Sequence, residues 1–159
     1  MTAVLSDCGS YRYWLERGDP DAPYVAWVLA NPSTADAEKD DPTVRKARGF
    51  TERWGYKRFV FVNVFAFRST KPRGLLKSDN PRGPDNNTYI YKAVSGSDIV
   101  VLAWGNAIAR PLRQYAYGTF HRINLIRPGK AQCLGYTRDR QPRHPLMLAY
   151  TTPLEEYRP

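Results

Sequence analysis

Three long apolar runs, each ending at a polar residue or a glycine turn, constrain the fold of this chain most strongly. The runs are Tyr24–Ala30, Arg58–Phe67 and Asp98–Trp104. They lack the strict alternation of half-exposed strands, and this is typical of strands that are buried on both faces. We therefore expect a sheet whose central strands are covered on both sides.

Helical patterns separate these strands. Asp41 followed by Pro42 predicts the N-cap and first residue of a helix that ends near Gly55, and residues 85–95 predict a second helix. The short segments 122–126 and 131–136 are interpreted as late strands. Strands that alternate with helices predict a three-layer α/β/α sandwich with a central, mostly parallel sheet. At 159 residues we expect one domain, spanning 1–159.

The charge balance indicates the class of partner. Lysines and arginines number 24 against 15 acidic residues, which gives a net charge of +9 and favours a polyanion such as nucleic acid. The same charge could serve only solubility. No apolar segment approaches the roughly 20 residues that cross a bilayer, and no signal peptide is evident, so we expect a cytoplasmic protein with no membrane partner. Cys8 and Cys133 are far apart, and we expect no metal and no cofactor.

Polar groups occur where the apolar strands end. Asn31 follows the first run, Asn63 interrupts the second, and Gly105 closes the third, while His144 lies in a late loop. In a parallel sheet these positions could converge on one edge. Amides and an imidazole around one pocket suit a planar heterocycle. The structural alternatives are a turn opener at Asn31, a backbone clamp at Asn63 and a surface imidazole at His144.

Several motifs resemble the family called domain of unknown function 1643. The segments that carry the resemblance are Leu29–Asp36, Asp40–Thr43, Trp54–Tyr56, Asn63–Arg68 and His144–Leu146. They span nearly the whole chain, and the resemblance brings no established activity.

The order of these motifs is also similar to that of the uracil-DNA glycosylase superfamily. The resemblance implies that Asn31 orients the attacking water, that Asn63 reads the base, and that His144 stabilises the departing base as an anion. It also implies that the sheet has the fold of that superfamily.

One departure from that superfamily concerns the base that accepts the proton of the water. The carboxylate version of the first motif is absent, and the amide of Asn31 can orient water but cannot accept its proton. We assign that role to Asp36, with Asp40 and Asp41 as alternatives. A reaction with weak activation of the water is the other possibility.

Further residues are assigned to substrate contacts. Phe65 is expected to stack on the base. Residues expected to contact the nucleic-acid backbone are Ser33, Arg68, Lys71 and Arg73.

The resemblance leads to an expected function. We expect a monomeric DNA glycosylase-like enzyme that hydrolyses the N-glycosidic bond of a flipped modified or damaged base, in DNA repair or phage defence. One alternative is a non-catalytic module that binds nucleic acid or a nucleotide. Another is an enzyme that acts on free nucleosides or nucleotides.

Overall fold

The computed structural model describes residues 2–33, 35 and 37–159, and of Pro72 and Arg73 only the backbone. Seven strands and three α-helices form an α/β fold within that part of the chain. The strands are β1 (Thr2–Leu5), β2 (Arg12–Gly18), β3 (Tyr24–Leu29), β4 (Arg58–Asn63), β5 (Ile99–Leu102), β6 (Ala131–Cys133) and β7 (Glu155–Glu156). The α-helices are α1 (Pro42–Arg53), α2 (Asn86–Gly96) and α3 (Arg113–Ile126), and 3-10 helices cover Pro72–Lys77, Arg110–Leu112 and Pro145–Met147.

The strands form one mixed sheet in the order β1-β2-β4-β3-β5-β6-β7. The four central strands β4, β3, β5 and β6 are parallel to one another. Strands β1, β2 and β7 join them antiparallel at the two edges. The expected α/β class is confirmed. The prediction of a mostly parallel sheet is wrong. The hairpin at one edge and the returning strand at the other edge add antiparallel pairings, which are as many as the parallel pairings among the described strands.

Strand β2, which lies between β1 and β4, does not show the apolar pattern because it carries buried charges. Arg17 is fully buried, and its Nε donates to Oδ1 of Asp40 at 2.7 Å. Glu16 accepts from Nε of Arg58 on the neighbouring strand β4 at 2.6 Å. Paired in this way, the charges are tolerated in a strand, but in the sequence they interrupt the apolar run that would predict one.

The strand predicted at residues 122–126 is wrong, since these residues lie in α3. The buried positions of α3 are Ala116, Thr119, Phe120 and Ile123, which follow the three- and four-residue spacing of a helix face. The β-branched residues near the end of α3 resemble a strand only when they are taken alone. The other predicted segments overlap the observed elements, and β4, β5 and β6 are shorter than expected.

Helices cover both faces of the sheet. On one face α1 packs Phe50 against Trp27 of β3. On the other face α2 and α3 pack Ile90 and Phe120 into a cluster with Val28 of β3. The predicted N-cap of α1 is confirmed, and none of the α-helices in the described residues has both the length and the apolar character of a bilayer-spanning segment.

Candidate functional site

The strand order creates a natural place for a ligand. The chain leaves β3 to form β4 on one side and later returns to form β5 on the other side, so β3 lies between them. The carboxyl ends of strands at such a reversal leave a crevice that ligands commonly occupy in α/β sheets. Leu29 at the end of β3 is in register with Asn63 of β4, and Val28 is in register with Leu102 of β5.

A cleft of about 110 Å³ opens at this point. It is lined by Arg12, Leu29, Ala30, Asn31, Ser33, Asp41, Thr43, Phe61, Ala107 and His144. Three residues assigned to the site from the sequence, Asn31, Ser33 and His144, therefore share one cleft although they lie far apart in the chain. The volume is below the roughly 300–1,000 Å³ of pockets that enclose drug-sized ligands, so the cleft suits a single ring or a small group.

Asn31 is held in a defined orientation just after β3. Its Nδ2 donates to the carbonyl of Pro32 at 3.1 Å and to the carbonyl of Ser69 at 2.8 Å. Two carbonyl acceptors can be satisfied only by the amide nitrogen. The Oδ1 atom has no hydrogen bond among the described residues and is the group that can accept one from a molecule in the cleft.

His144 presents one hydrogen-bond donor. It is the N-cap of the 3-10 helix Pro145–Met147, and its Nδ1 accepts from the backbone N–H of Leu146 at 3.3 Å. The neutral ring therefore carries its proton on Nε2. Burial lowers the pKa of His144, and the negative charge of Asp41 only partly opposes this shift. The imidazole is thus neutral near pH 7 and can donate from Nε2.

The carboxylates considered as bases occupy different places. Asp41 lines the cleft, and its Oδ1 accepts from the N–H of Val44 as the N-cap of α1. Asp40 is ion-paired with Arg17 and Arg48, and although burial alone would raise its pKa, these contacts lower it. Asp36 lies outside the described residues. Of Asp40 and Asp41, only Asp41 lines the cleft.

The side chain of Asn63 is buried. Its side chain is 1 % exposed, and neither Nδ2 nor Oδ1 has a hydrogen-bond partner among the described residues. A buried amide left unpaired costs about 1–3 kcal/mol. Asn63 follows Phe61 by two residues in β4, so strand alternation places both on the α1 face of the sheet. Phe61 lines the cleft, and Asn63 lies two residues further along the same face of the sheet without being among the lining residues.

Phe65 is not at the cleft. It is fully buried among the residues that α2 and α3 cover, and its ring contacts Tyr115 edge to face at 5.7 Å between centroids. The aromatic residue that does line the cleft is Phe61. Side chains two residues apart in a strand lie on the same face, so the spacing between Phe61 and Asn63 is the sequence signal that could have identified Phe61 as a residue of the cleft.

The residues assigned to a nucleic-acid backbone differ in their exposure. Ser33 is exposed at the cleft, and Lys71 is exposed on the loop after β4. Arg68 is half-buried, and its Nη1 donates to the carbonyl of Gly9 at 3.3 Å. The side chain of Arg73 lies outside the described part of the structure.

Two polar residues at the cleft were not assigned to it from the sequence. Arg12 is 3 % exposed at the start of β2 and donates from Nη1 to the carbonyl of Ala35. No apolar run marks β2, so the sequence offers no signal for this residue. Thr43 lies in the first turn of α1, which the capping pattern at Asp41 does predict. The N-terminus of α1, where the helix dipole is positive, therefore lies at the cleft.

Within the described residues no group of three or more His, Cys, Asp or Glu side chains is arranged to hold a metal ion. No curated protein and no solved structure matches this chain. A family model described as protein of unknown function (DUF1643) matches residues 12–146, a range that includes Asn31, Asp41 and His144. Because that match covers most of its length, the chain belongs to the DUF1643 family.

Proposed function

We propose that this protein is a DNA glycosylase-like hydrolase that cleaves the N-glycosidic bond of a modified or damaged base flipped into the cleft. The observation that carries the proposal is that Asn31 and His144 line the same cleft at the carboxyl ends of the central strands. Asn31 can act on the attacking water, and His144 can act on the departing base. The parallel core β4-β3-β5-β6 supports the resemblance to the uracil-DNA glycosylase superfamily.

Asn31 and Asp41 act on the water in this reaction. The Oδ1 of Asn31 accepts a hydrogen bond from the water and orients its oxygen towards C1′ of the sugar. Asp41 uses Oδ1 to cap α1, which leaves Oδ2 to accept the proton that the water loses. The carboxylate also favours the positive charge that develops on the sugar.

His144 acts on the leaving group. As water bonds to C1′, the bond between C1′ and the base nitrogen breaks and its electron pair stays with the base. The Nε2–H of neutral His144 donates to the base oxygen on which negative charge develops. The N-terminus of α1 lies at the same cleft and favours the same charge. The products are a sugar with a hydroxyl at C1′ and the free base.

Asn63 and Phe61 suit recognition of the base. An amide with an unused donor and an unused acceptor complements the hydrogen-bonding edge of a heterocycle. Phe61 supplies an aromatic surface in the cleft wall. We propose that the protein acts as a cytoplasmic monomer on DNA, in repair or in defence against phage DNA, with the net charge of +9 favouring the approach to phosphates.

One observation favours a second function, a nucleic-acid or nucleotide binding module without catalysis. Position 31 holds an amide, and the carboxylate of Asp41 already caps α1. A site so arranged could bind a flipped base and leave its glycosidic bond intact.

The experiment that tests the proposal measures abasic-site formation in single turnover. The panel contains single- and double-stranded DNAs with uracil, mismatches, damaged bases and phage-type modified bases, together with free nucleosides. Base release from DNA that weakens with added salt supports the proposal. Release from nucleosides alone would assign the enzyme to free nucleosides, and salt-sensitive binding with no release would make the chain a binding module.

A further inference from the structure

A second concave site lies between α2 and α3, on the face of the sheet that α1 does not cover. Its volume is about 480 Å³, which falls within the range of pockets that hold small organic ligands. Its walls include the apolar side chains of Ile90, Tyr91, Leu125 and Ile126. Asn87 also lines this groove.

Two of the apolar side chains are strongly exposed. Tyr91 is 60 % exposed and Leu125 is 82 % exposed. Both border the same groove, so a ligand in it would remove contiguous apolar surface from water. Covering such surface is favourable because it releases water from apolar groups. The groove therefore favours a ligand with an apolar body.

The polar end of the groove carries positive charge. Nη2 of Arg82 and Nη1 of Arg122 both donate to Oδ1 of Asn87, the latter at 3.1 Å. Neither arginine forms an ion pair with a carboxylate among the described residues. Burial lowers the pKa of Arg82, and the nearby charge of Arg122 lowers it further.

A neutral amide oxygen is a weak partner for two guanidinium groups. An anion that contacts both would replace it with charge-assisted hydrogen bonds, which are about twice as strong as neutral ones. Arg122 is the charged residue among the described residues that line the groove, beside the apolar Ile90, Tyr91, Leu125 and Ile126, so the complementary ligand combines one anionic group with an apolar body.

We propose that the groove between α2 and α3 binds a small organic anion, with a carboxylate, sulfonate or phosphate group between Arg82 and Arg122 and an apolar body against Tyr91 and Leu125. This site is separate from the cleft at Asn31 and His144. Its occupancy is independent of whether that cleft cleaves a glycosidic bond.

The test uses two fluorescent probes that share an apolar body. One is 8-anilinonaphthalene-1-sulfonate, and the other is N-phenyl-1-naphthylamine, which lacks the sulfonate. The sulfonate is expected to bind one-to-one and about tenfold more tightly than the neutral probe. Arg122→Gln should remove that difference in affinity, because it weakens binding of the sulfonate probe alone. Leu125→Ala should weaken binding of both probes.

The matched control is Arg138→Gln, which removes an exposed arginine from the loop between β6 and β7 and should change neither affinity. Amide NMR shifts on probe binding should be confined to α2 and α3. The assignment would be overturned if the natural protein bound the two probes with equal affinity. It would also be overturned if Arg138→Gln weakened sulfonate binding as much as Arg122→Gln, or if the NMR shifts were centred outside α2 and α3. Binding of an acidic amphipathic peptide without binding of either probe would also overturn it, in favour of a protein-docking surface.

Discussion

Gly105 lies directly against His144. A Cβ atom added to Gly105 would stand 3.1 Å from the Cβ of His144 and 3.4 Å from its backbone nitrogen. The N–H of Gly105 also donates to the carbonyl of Pro142 at 2.8 Å. The turn that follows β5 therefore determines where the loop with the imidazole lies, and it connects the third central strand to the cleft.

The substitution Gly105→Ala should impair the cleft more than the fold. Gly105 has φ +58°, which costs a residue with a side chain about 1–2 kcal/mol. The added methyl group must also displace His144. We expect a modest loss of stability in chemical denaturation, together with a larger fractional loss of base release in single turnover.

Gly9→Ala is the matched control, because Gly9 has φ +69° and nothing within 4 Å of the added Cβ. It should lose similar stability and keep its activity. Equal activity of the two variants would show that the contact between Gly105 and His144 does not matter.

Replacement of Asn63 by leucine should stabilise the protein and weaken its binding of the substrate base. Leucine has a similar shape and brings no polar atom, whereas the buried amide of Asn63 has no partner among the described residues. Removal of an unsatisfied buried amide should raise the free energy of unfolding by about 1–3 kcal/mol. The measurements are chemical denaturation and binding of the base-containing substrate. A large loss of stability would instead assign Asn63 a structural role.

Two substitutions of Asp41 should separate its structural role from its charge. Asp41→Asn keeps a good N-cap for α1, so stability should change little, whereas Asp41→Ala should lose about 0.5–2 kcal/mol. Both remove the negative charge that raises the pKa of His144, so that pKa should fall further. Both should also slow base release. Activity of Asp41→Asn equal to that of the natural protein would exclude the carboxylate as proton acceptor.

His144 should make the protein less stable in mild acid. Its pKa in the folded chain is lowered by burial from an unfolded value near 6.5. As pH falls, the unfolded chain therefore takes up the proton before the folded chain does. The neutral ring makes its full contribution to the free energy of unfolding above about pH 6.5, and this contribution is lost as pH falls through the folded pKa. His144→Asn keeps a side-chain acceptor for the N-cap but does not titrate.

The stability of the natural protein relative to His144→Asn should decline as pH falls below about 6.5. The chain has two histidines, so NMR titration of a His121→Gln background follows His144 alone. Its nitrogen shifts should show the proton on Nε2. A pKa above 6.5, or relative stability that rises in acid, would contradict the environment described for His144.

The sequence predicts the centre of this molecule better than its edges. Apolar runs such as those of β3, β4 and β5 have few stable arrangements other than buried central strands. Because these strands are parallel, the polar groups at their ends lie at the same edge of the sheet. That reasoning predicts that Asn31 and His144 lie near one edge of the sheet, and both residues line one cleft. It fails for β2, whose buried Arg12 and Arg17 depend on partners that the sequence does not reveal.

The aromatic residue that lines the cleft, Phe61, differs from the predicted Phe65 for a physical reason. Phe61 and Phe65 both lie close to Asn63 in the chain, and alternation holds only while the backbone remains a strand. Strand β4 ends at Asn63, so the facing of Phe65 depends on a turn that the sequence does not specify. Phe61 lies inside the strand, so the alternation of side chains along the strand determines which face of the sheet it occupies.

The most direct test of the account is the single-turnover rate of base release on the best DNA substrate, for the natural protein, Asn31→Ala and His144→Ala. We predict that each substitution slows release by about 100-fold or more, while affinity for the DNA changes by less than about tenfold, because phosphate contacts dominate binding. Release that survives either substitution unchanged would contradict the proposal that Asn31 and His144 form one catalytic cleft.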